Sequence, residues 1–348
     1  MHPTLKELKV GNTILTGKEL ANYINNYFVN AVNIITANLP RAPFNYFLTA
    51  AIDASCFFYP TTEFEVAKII SGLKNHGNKL LDLHPSIVKE NKRIFSGHIA
   101  ELYNFSLLQS EFPDISKTGR VNPIHKSGPT DDIDNYRPIS VISIFSKIFE
   151  KMTYARMLSF ISRFNILSSC QYGFRRGRST TQAITKLLSY LMPAYHCKIF
   201  SACFFLDLRK AFDTVDHNIL IRKLDHYGFR GNCCTYLKSY FTNRNQYVYL
   251  NGEKSDTRNI SFGVPQGSIL GPLCFSLFIN DLPLAVDADT VLFADDAAFI
   301  IKAASLEELY SKINKLFEDL MAYLNCNRLV ANSSKSKLMM FNSKPTQN

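Results

Sequence analysis

Between residues 291 and 301 the chain places two adjacent carboxylates, Asp295-Asp296, inside an otherwise apolar stretch, with Val291-Leu292-Phe293-Ala294 before them and Ala297-Ala298-Phe299-Ile300-Ile301 after. Two apolar runs of strand length around a short polar break predict a β-hairpin with the aspartates at its tip. Neighbouring carboxylates in a low-dielectric setting repel each other, and a buried, unpaired one is costly. The tip therefore needs open solvent or a cation. A solvated Asp-Asp turn fits the pattern, and so does a divalent-metal site.

A metal site calls for a third carboxylate, and Asp207 is the best placed. It closes Ile199-Phe200-Ser201-Ala202-Cys203-Phe204-Phe205-Leu206, a nearly continuous apolar run suited to the middle of a sheet. Three such carboxylates can bridge two Mg²⁺ ions about 3.5 to 4 Å apart, which activate an attacking hydroxyl and stabilise the leaving oxygen of an in-line phosphoryl displacement. An ordinary strand-end aspartate is the alternative for Asp207. Asp213, Asp216 and His217 form a further cluster that reads as a helix start, with Asp213 as the cap and Asp216 in the first turn.

The 348 residues, 46% of them hydrophobic, suffice for one large or two to three small globular domains. Lys and Arg outnumber Asp and Glu by 39 to 29, a formal charge of +10 that suits a polyanionic partner. The eight cysteines show no C-x-x-C pair and read as reduced, mostly buried thiols without a zinc site. Residues 1 to 10 lack the apolar core of a signal peptide, and no run reaches the roughly 18 apolar residues of a spanning helix. We find no internal repeat or low-complexity segment, and nothing that reads out oligomeric state.

Helices are expected over 17–37, 95–109, 146–164, 180–192, 216–228, 231–242 and 269–282. Capping boxes at Thr62-Glu63-Phe64-Glu65 and Ser305-Leu306-Glu307-Glu308 open two more, the second long and amphipathic. Strands are expected over 120–124, 199–206, 246–250 and 337–341, with the hairpin between. The stretch 39–60 reads as a connector and the N-terminal fifth carries no functional signal. Strands mixed with helices that cover one face imply an α+β architecture around a central antiparallel sheet.

Seven segments in order carry a resemblance. They are Pro123-Ile124-His125-Lys126, Asn135-Tyr136-Arg137-Pro138-Ile139-Ser140, Gln171-Tyr172-Gly173-Phe174-Arg175, Phe205 to His217 around Asp207, Ser239 to Gln246, Gly263-Val264-Pro265-Gln266-Gly267-Ser268-Ile269-Leu270-Gly271-Pro272, and Phe293-Ala294-Asp295-Asp296. The chain resembles the reverse transcriptase of a non-LTR, LINE-type retrotransposon of the Jockey and CR1-like groups, over about 57–341. The resemblance implies a right-hand polymerase fold with an N-terminal extension and connector at 1–60, fingers at 61–206, palm at 207–342 and a tail at 343–348. It implies RNA-directed DNA synthesis from an RNA template, a DNA primer and deoxynucleoside triphosphates, with two Mg²⁺ ions for which Mn²⁺ can substitute. No membrane association is implied, and the setting is intracellular, in the nucleus or a cytoplasmic ribonucleoprotein.

Position by position, the resemblance makes Asp207, Asp295 and Asp296 the catalytic metal ligands, joined by the backbone carbonyl of Leu208. Phe212 matches the bulky residue that stacks under the sugar and excludes a 2′-hydroxyl. Gln266 and Gly267 belong to a loop approaching the nucleotide. Lys126 and Arg137 match triphosphate-holding residues, the first a point charge and the second a bidentate grip. Lys335 is expected to assist the leaving pyrophosphate, and Arg175, Arg176 and Arg178 to hold template phosphates.

Three departures stand out. Phe293 replaces the common Tyr of the hairpin, Tyr323 stands where the family often has Trp, and the sequence stops just past the palm's closing strand, so the thumb is expected to be absent. Two other functions use the same features: a non-catalytic nucleic-acid-binding remnant and a metal-dependent nuclease.

Overall fold

The computed structural model describes residues 5–37, 39, 51–74 and 83–341. A hairpin of β1 (Glu7–Val10) and β2 (Thr13–Thr16) runs straight into α1 (Gly17–Thr36). The apolar stripe of α1, Leu20, Ala21, Ile24 and Phe28, packs against Val121, Tyr136, Val248 and Leu250. Three helices follow: α2 (Glu63–Ser71), α3 (Pro85–Glu90) and α4 (Lys92–Gln109). The box at Thr62 is only half made. Its hydroxyl accepts the Glu65 N–H at 3.3 Å, but the Glu65 carboxylate turns to Thr61 and Arg156 instead.

Next come β3 (Thr118–His125), β4 (Tyr136–Val141), α5 (Ile144–Arg163) and α6 (Thr180–His196). The last runs past its expected end because Pro193 removes a single N–H from the ladder, and its own carbonyl still accepts the Cys197 N–H at 3.0 Å. β5 (Phe200–Leu206) leads to α7 (His217–His226), α8 (Asn232–Phe241), β6 (Arg244–Leu250), β7 (Glu253–Lys254) and β8 (Arg258–Ile260). α9 (Leu270–Phe278), the hairpin of β9 (Asp289–Phe293) and β10 (Asp296–Ala303), α10 (Leu306–Cys326) and β11 (Lys337–Phe341) complete the described chain.

Two larger sheets organise these elements. One is antiparallel, in the order β11-β5-β10-β9, with the long apolar run of β5 inside it as its composition demands. The other, β4-β3-β6-β7 with β8 also on β6, contains a parallel β3–β6 pair. Since β5 belongs to the first sheet and β6 to β8 to the second, a cut at 206/207 does not separate the sheets.

Helices cover both faces of the first sheet, not one. Ala183 and Leu191 of α6 meet Cys203, Val291, Ala298 and Ile300 on one side. On the other side α9 and α10 join Ala202, Leu206, Phe299 and Ile301 in the main core. The unbroken Ala297 to Ile301 run already implied two covered faces, because an alternating pattern would have left one side polar. Tyr323 of α10 also explains its departure from Trp. Its hydroxyl donates to Asp281 at 2.8 Å, and Lys223 holds the same carboxylate at 2.6 Å, wholly inside the core. All eight cysteines are free thiols, with Cys56, Cys203, Cys233 and Cys274 buried and Cys197 exposed. Among the described residues no helix is long and apolar enough to cross a membrane.

Candidate active site

The β9–β10 hairpin turns on two residues, Ala294 and Asp295, since Phe293 and Asp296 are paired across it. β10 also pairs with β5, and the last pair is Ala297 with Leu206. One step further, Asp296 and Asp207 stand at facing ends of strands that lie about 4.8 Å apart. Asp295 is one residue beyond, in the turn.

The chain around Asp207 is fixed by the segment before β11. Asp207 N–H donates to Ser336 Oγ at 3.1 Å, Asp207 O accepts the Asn332 N–H at 2.8 Å, and Asn332 Nδ2 donates to the Asp207 carboxylate at 3.0 Å. Leu208 bridges Ala331, and the bonds of that bridge use Asp207 O and Arg209 N–H, not the Leu208 carbonyl.

The three aspartates share a cleft of about 1070 Å³ with Lys126, Arg137, Leu208, Phe212, Gln266 and Lys335. Lost solvent, then the charges of Asp295 and Asp207, push the Asp296 carboxyl up, while Lys126 pulls it back. Burial, then Arg137 and Lys335, push the Lys126 ammonium down, opposed by Asp207 and Asp295. Three cations and three carboxylates thus feel one another across the cleft. Among the described residues, no three acidic, His or Cys side chains close into a finished metal cage. The donor set of three carboxylates and a nearby carbonyl is nevertheless all hard oxygen, which fits a magnesium-class ion, and such an ion would relieve both the lost solvation and the Asp295 and Asp207 repulsion that raise Asp296.

Phe212 forms part of the cleft wall, stacked on Phe275 with ring centroids 4.5 Å apart and edge-on to Phe174 at 6.0 Å. Gln266 also lines the cleft, but its Nε2 donates to Asp213 at 2.8 Å, so that carboxylate sets its orientation. Burial pushes the Asp213 carboxyl up to about 6, with the Gln266 hydrogen bond and the Lys210 charge opposing. The expected capping role therefore moves three residues on: Asp216 accepts the Asn218 and Ile219 N–H groups and caps α7. Gly267 lies beside the cleft wall, not in it, at φ +121°. A Cβ there would come within 2.3 Å of Ser140 O, so glycine lets this loop lie against β4.

The arginine loop is elsewhere, outside the lining of the cleft. Arg175 spends Nη1 on the Ser168 and Gln171 carbonyls, Arg178 packs over the Tyr172 ring at 4.8 Å, and Arg176 is exposed.

Sequence reasoning missed Asn332 and Ser336, which brace Asp207, and it missed a wall. Tyr27, Ala31, Ile34 and Ile35 of α1 line the cleft. The Tyr27 hydroxyl bonds Asp134, and Lys210 donates to that hydroxyl at 3.2 Å while sitting 4.5 Å over the ring. The amphipathic stripe of α1 was readable, but its long-range partners were not.

The profile of the family "Reverse transcriptase (RNA-dependent DNA polymerase)" matches residues 124–347. Among curated proteins, the chain is 32% identical over 249 residues to the probable RNA-directed DNA polymerase from transposon BS of Drosophila melanogaster, covering 69% of this chain and 27% of that protein. It is 33% identical over 217 residues to the RNA-directed DNA polymerase from mobile element jockey of the same species, covering 60% and 24%. A third relative, the probable RNA-directed DNA polymerase from transposon X-element of Drosophila melanogaster, is 29% identical over 298 residues, covering 81% and 32%. The chain thus spans about a quarter to a third of the length of these relatives. With the family profile matching well over half of its residues, the chain belongs to the reverse transcriptase (RNA-dependent DNA polymerase) family.

Proposed function

We propose that this cleft adds deoxynucleotides to a DNA 3′-hydroxyl on an RNA template and releases pyrophosphate. The observation that carries the reading is the juxtaposition of Asp207, Asp295 and Asp296 with Lys126, Arg137 and Lys335 in one cleft, because an aspartate trio facing cations suits a metal-bound triphosphate. The four-stranded sheet serves as palm and the mixed sheet with its helices as fingers, so the division follows the sheets instead of one cut in the sequence.

In the proposed reaction the primer hydroxyl gives up its proton to solvent water and bonds the α-phosphorus as the bond from that phosphorus to the bridging oxygen breaks, the electron pair leaving with pyrophosphate. When bound, two Mg²⁺ ions held by Asp207, Asp295, Asp296 and the Leu208 carbonyl supply Lewis-acid stabilisation of the attacking and leaving oxygens. Arg137 grips a phosphate through two N–H groups, Lys126 neutralises charge, and Lys335 meets the departing pyrophosphate. Phe212, braced by Phe275, is the surface against which a 2′-hydroxyl would clash. Gln266, held by Asp213, faces the sugar or base edge. Arg176 and Arg178 are exposed for template phosphates, whereas Arg175 braces its own loop. A nuclear or ribonucleoprotein setting belongs to the same proposal.

A binding-only reading draws on one observation, the formal charge of +10, which suits a polyanion whether or not chemistry follows. An extension assay with an RNA template, a DNA primer and Mg²⁺ or Mn²⁺ separates the readings. Extension that Asp295→Asn reduces at least ~10³-fold supports polymerisation, about 4 kcal/mol of transition-state stabilisation. Salt-sensitive binding without extension supports the binding-only reading, and primer shortening points to nuclease chemistry.

A further inference from the structure

We infer that Gln171 is a positioning residue that holds the carboxylate-bearing turn of the β9–β10 hairpin from behind. Ala294 has a φ of +58°, in the left-handed region that residues with a Cβ avoid, and it is only 8% exposed. Its N–H lies in the turn, beyond the Phe293–Asp296 pair that ends the ladder, so neither water nor β10 readily satisfies it. Gln171, 1% exposed and 123 residues earlier in the chain, does so. Its Oε1 accepts the Ala294 N–H at 3.1 Å and the Gly173 N–H at 2.8 Å, and its Nε2 lies 3.4 Å from the Ala294 carbonyl.

The backbone around Gln171 is registered to the same strand. Leu292 accepts from Tyr172 at 2.8 Å and donates to Cys170 at 2.9 Å, a short parallel bridge. Gly173 lets the two segments meet, since a Cβ there would lie 2.1 Å from Ala294 N and 3.0 Å from Phe293 C. One side chain and one missing side chain thus fix the conformation of Ala294. The next two residues are Asp295 and Asp296, so whatever fixes Ala294 sets the direction of both carboxylates relative to Asp207.

The consequence for catalysis rests on the polymerase reading above, but the hold on the turn does not. Hydrogen–deuterium exchange therefore decides the first part. Gln171→Met keeps the length and removes the oxygen that accepts both N–H groups, and should raise exchange in a peptide covering 290–297 at least ~10-fold while peptides of β3 and α10 stay unchanged. Gln171→Glu keeps a double acceptor and should restore protection to within ~3-fold. Should the Met variant fail to fold, Gln171→Asn, whose shorter side chain draws the acceptor back, is expected to show the same rise.

For the second part, Mn²⁺ affinity by electron paramagnetic resonance should fall about 10-fold in the Met or Asn variant. Single-nucleotide kcat should fall at least as far, with the KM for deoxynucleotide within ~2-fold. Unchanged exchange in both variants, or a Glu variant as unprotected as Met, overturns the proposal. Lost protection with unchanged Mn²⁺ affinity overturns the positioning role. If the wild type protects the turn yet extends no primer, the polymerase reading fails while the hold of Gln171 stands.

Discussion

Arg156 in α5 is buried and Asp207 at the end of β5 is half-buried, and the fold treats the two charges in opposite ways. Arg156 is 1% exposed, yet its five N–H donors are used: Nε on Tyr59 O, Nη1 on Glu65 and Met152 O, Nη2 on Glu65 and Pro60 O, all between 2.7 and 3.1 Å. Tyr59 and Tyr103 lie over the guanidinium at 4.3 and 5.3 Å. Among the described residues the Asp207 carboxylate accepts only from Asn332, and it shares its cleft with two more aspartates. The helices behind the sheet settle their charges internally, whereas the cleft leaves its charges for a ligand to settle. Under the proposed function, the difference separates groups that hold the protein together from groups held ready to react.

Asp207→Asn tests the cleft side of this contrast directly. The amide oxygen still accepts from Asn332, so folding should be unimpaired, and removing one of three repelling charges should leave the variant at least as stable as wild type in denaturant titration. Extension should nonetheless fall at least ~10³-fold, about 4 kcal/mol. A clear loss of stability would mean that the cleft carboxylates serve the fold after all.

The converse is Arg156→Met, which strands Glu65 and several carbonyls. Guanidinium melts should show a loss of about 3 kcal/mol, at the lower end for a buried pair because Glu65 is a third exposed. The double variant Glu65→Leu/Arg156→Met should recover most of it, while extension per folded molecule stays within a few-fold of wild type.

The hairpin, Asp207 and the long helices were legible because polarity and period declare them within a few residues of sequence. Legibility ends where partners are distant. The wall formed by α1 depends on Tyr27 meeting Asp134, 107 residues away, and Lys210, 183 away. At Thr62 the spacing was right for a capping box, but Arg156, 91 residues after Glu65, competes for the Glu65 carboxylate and wins it through two charge-assisted bonds. A complete box forms instead at Ser179 and Gln182, which carried the same local signal without a competing cation. Asp213 and Asp216 stand three apart before the same helix, and only the turn made by the Asp213 and Thr214 N–H groups on Lys210 O decides which one caps it.

Asp213 itself gives the smallest and most discriminating test, because it lies between the two classes: it has an internal partner in Gln266 and yet lines the cleft. Its folded pKa, raised to about 6, exceeds the ordinary carboxylate value of 3.8, so between those values the folded state keeps a proton that the unfolded chain has released. Stability from this group therefore falls as pH rises from about 4 to 6 and is flat above 7. Asp213→Asn removes the titration but keeps an oxygen for Gln266. Its stability relative to wild type should climb across that window by roughly 1 kcal/mol, a figure reduced for partial solvent access. Paired urea titrations at pH 4, 5, 6 and 7 measure it. A difference that does not change with pH would place Asp213 with Arg156, as a charge the fold has already settled, and a rise confined to this window places it with the cleft.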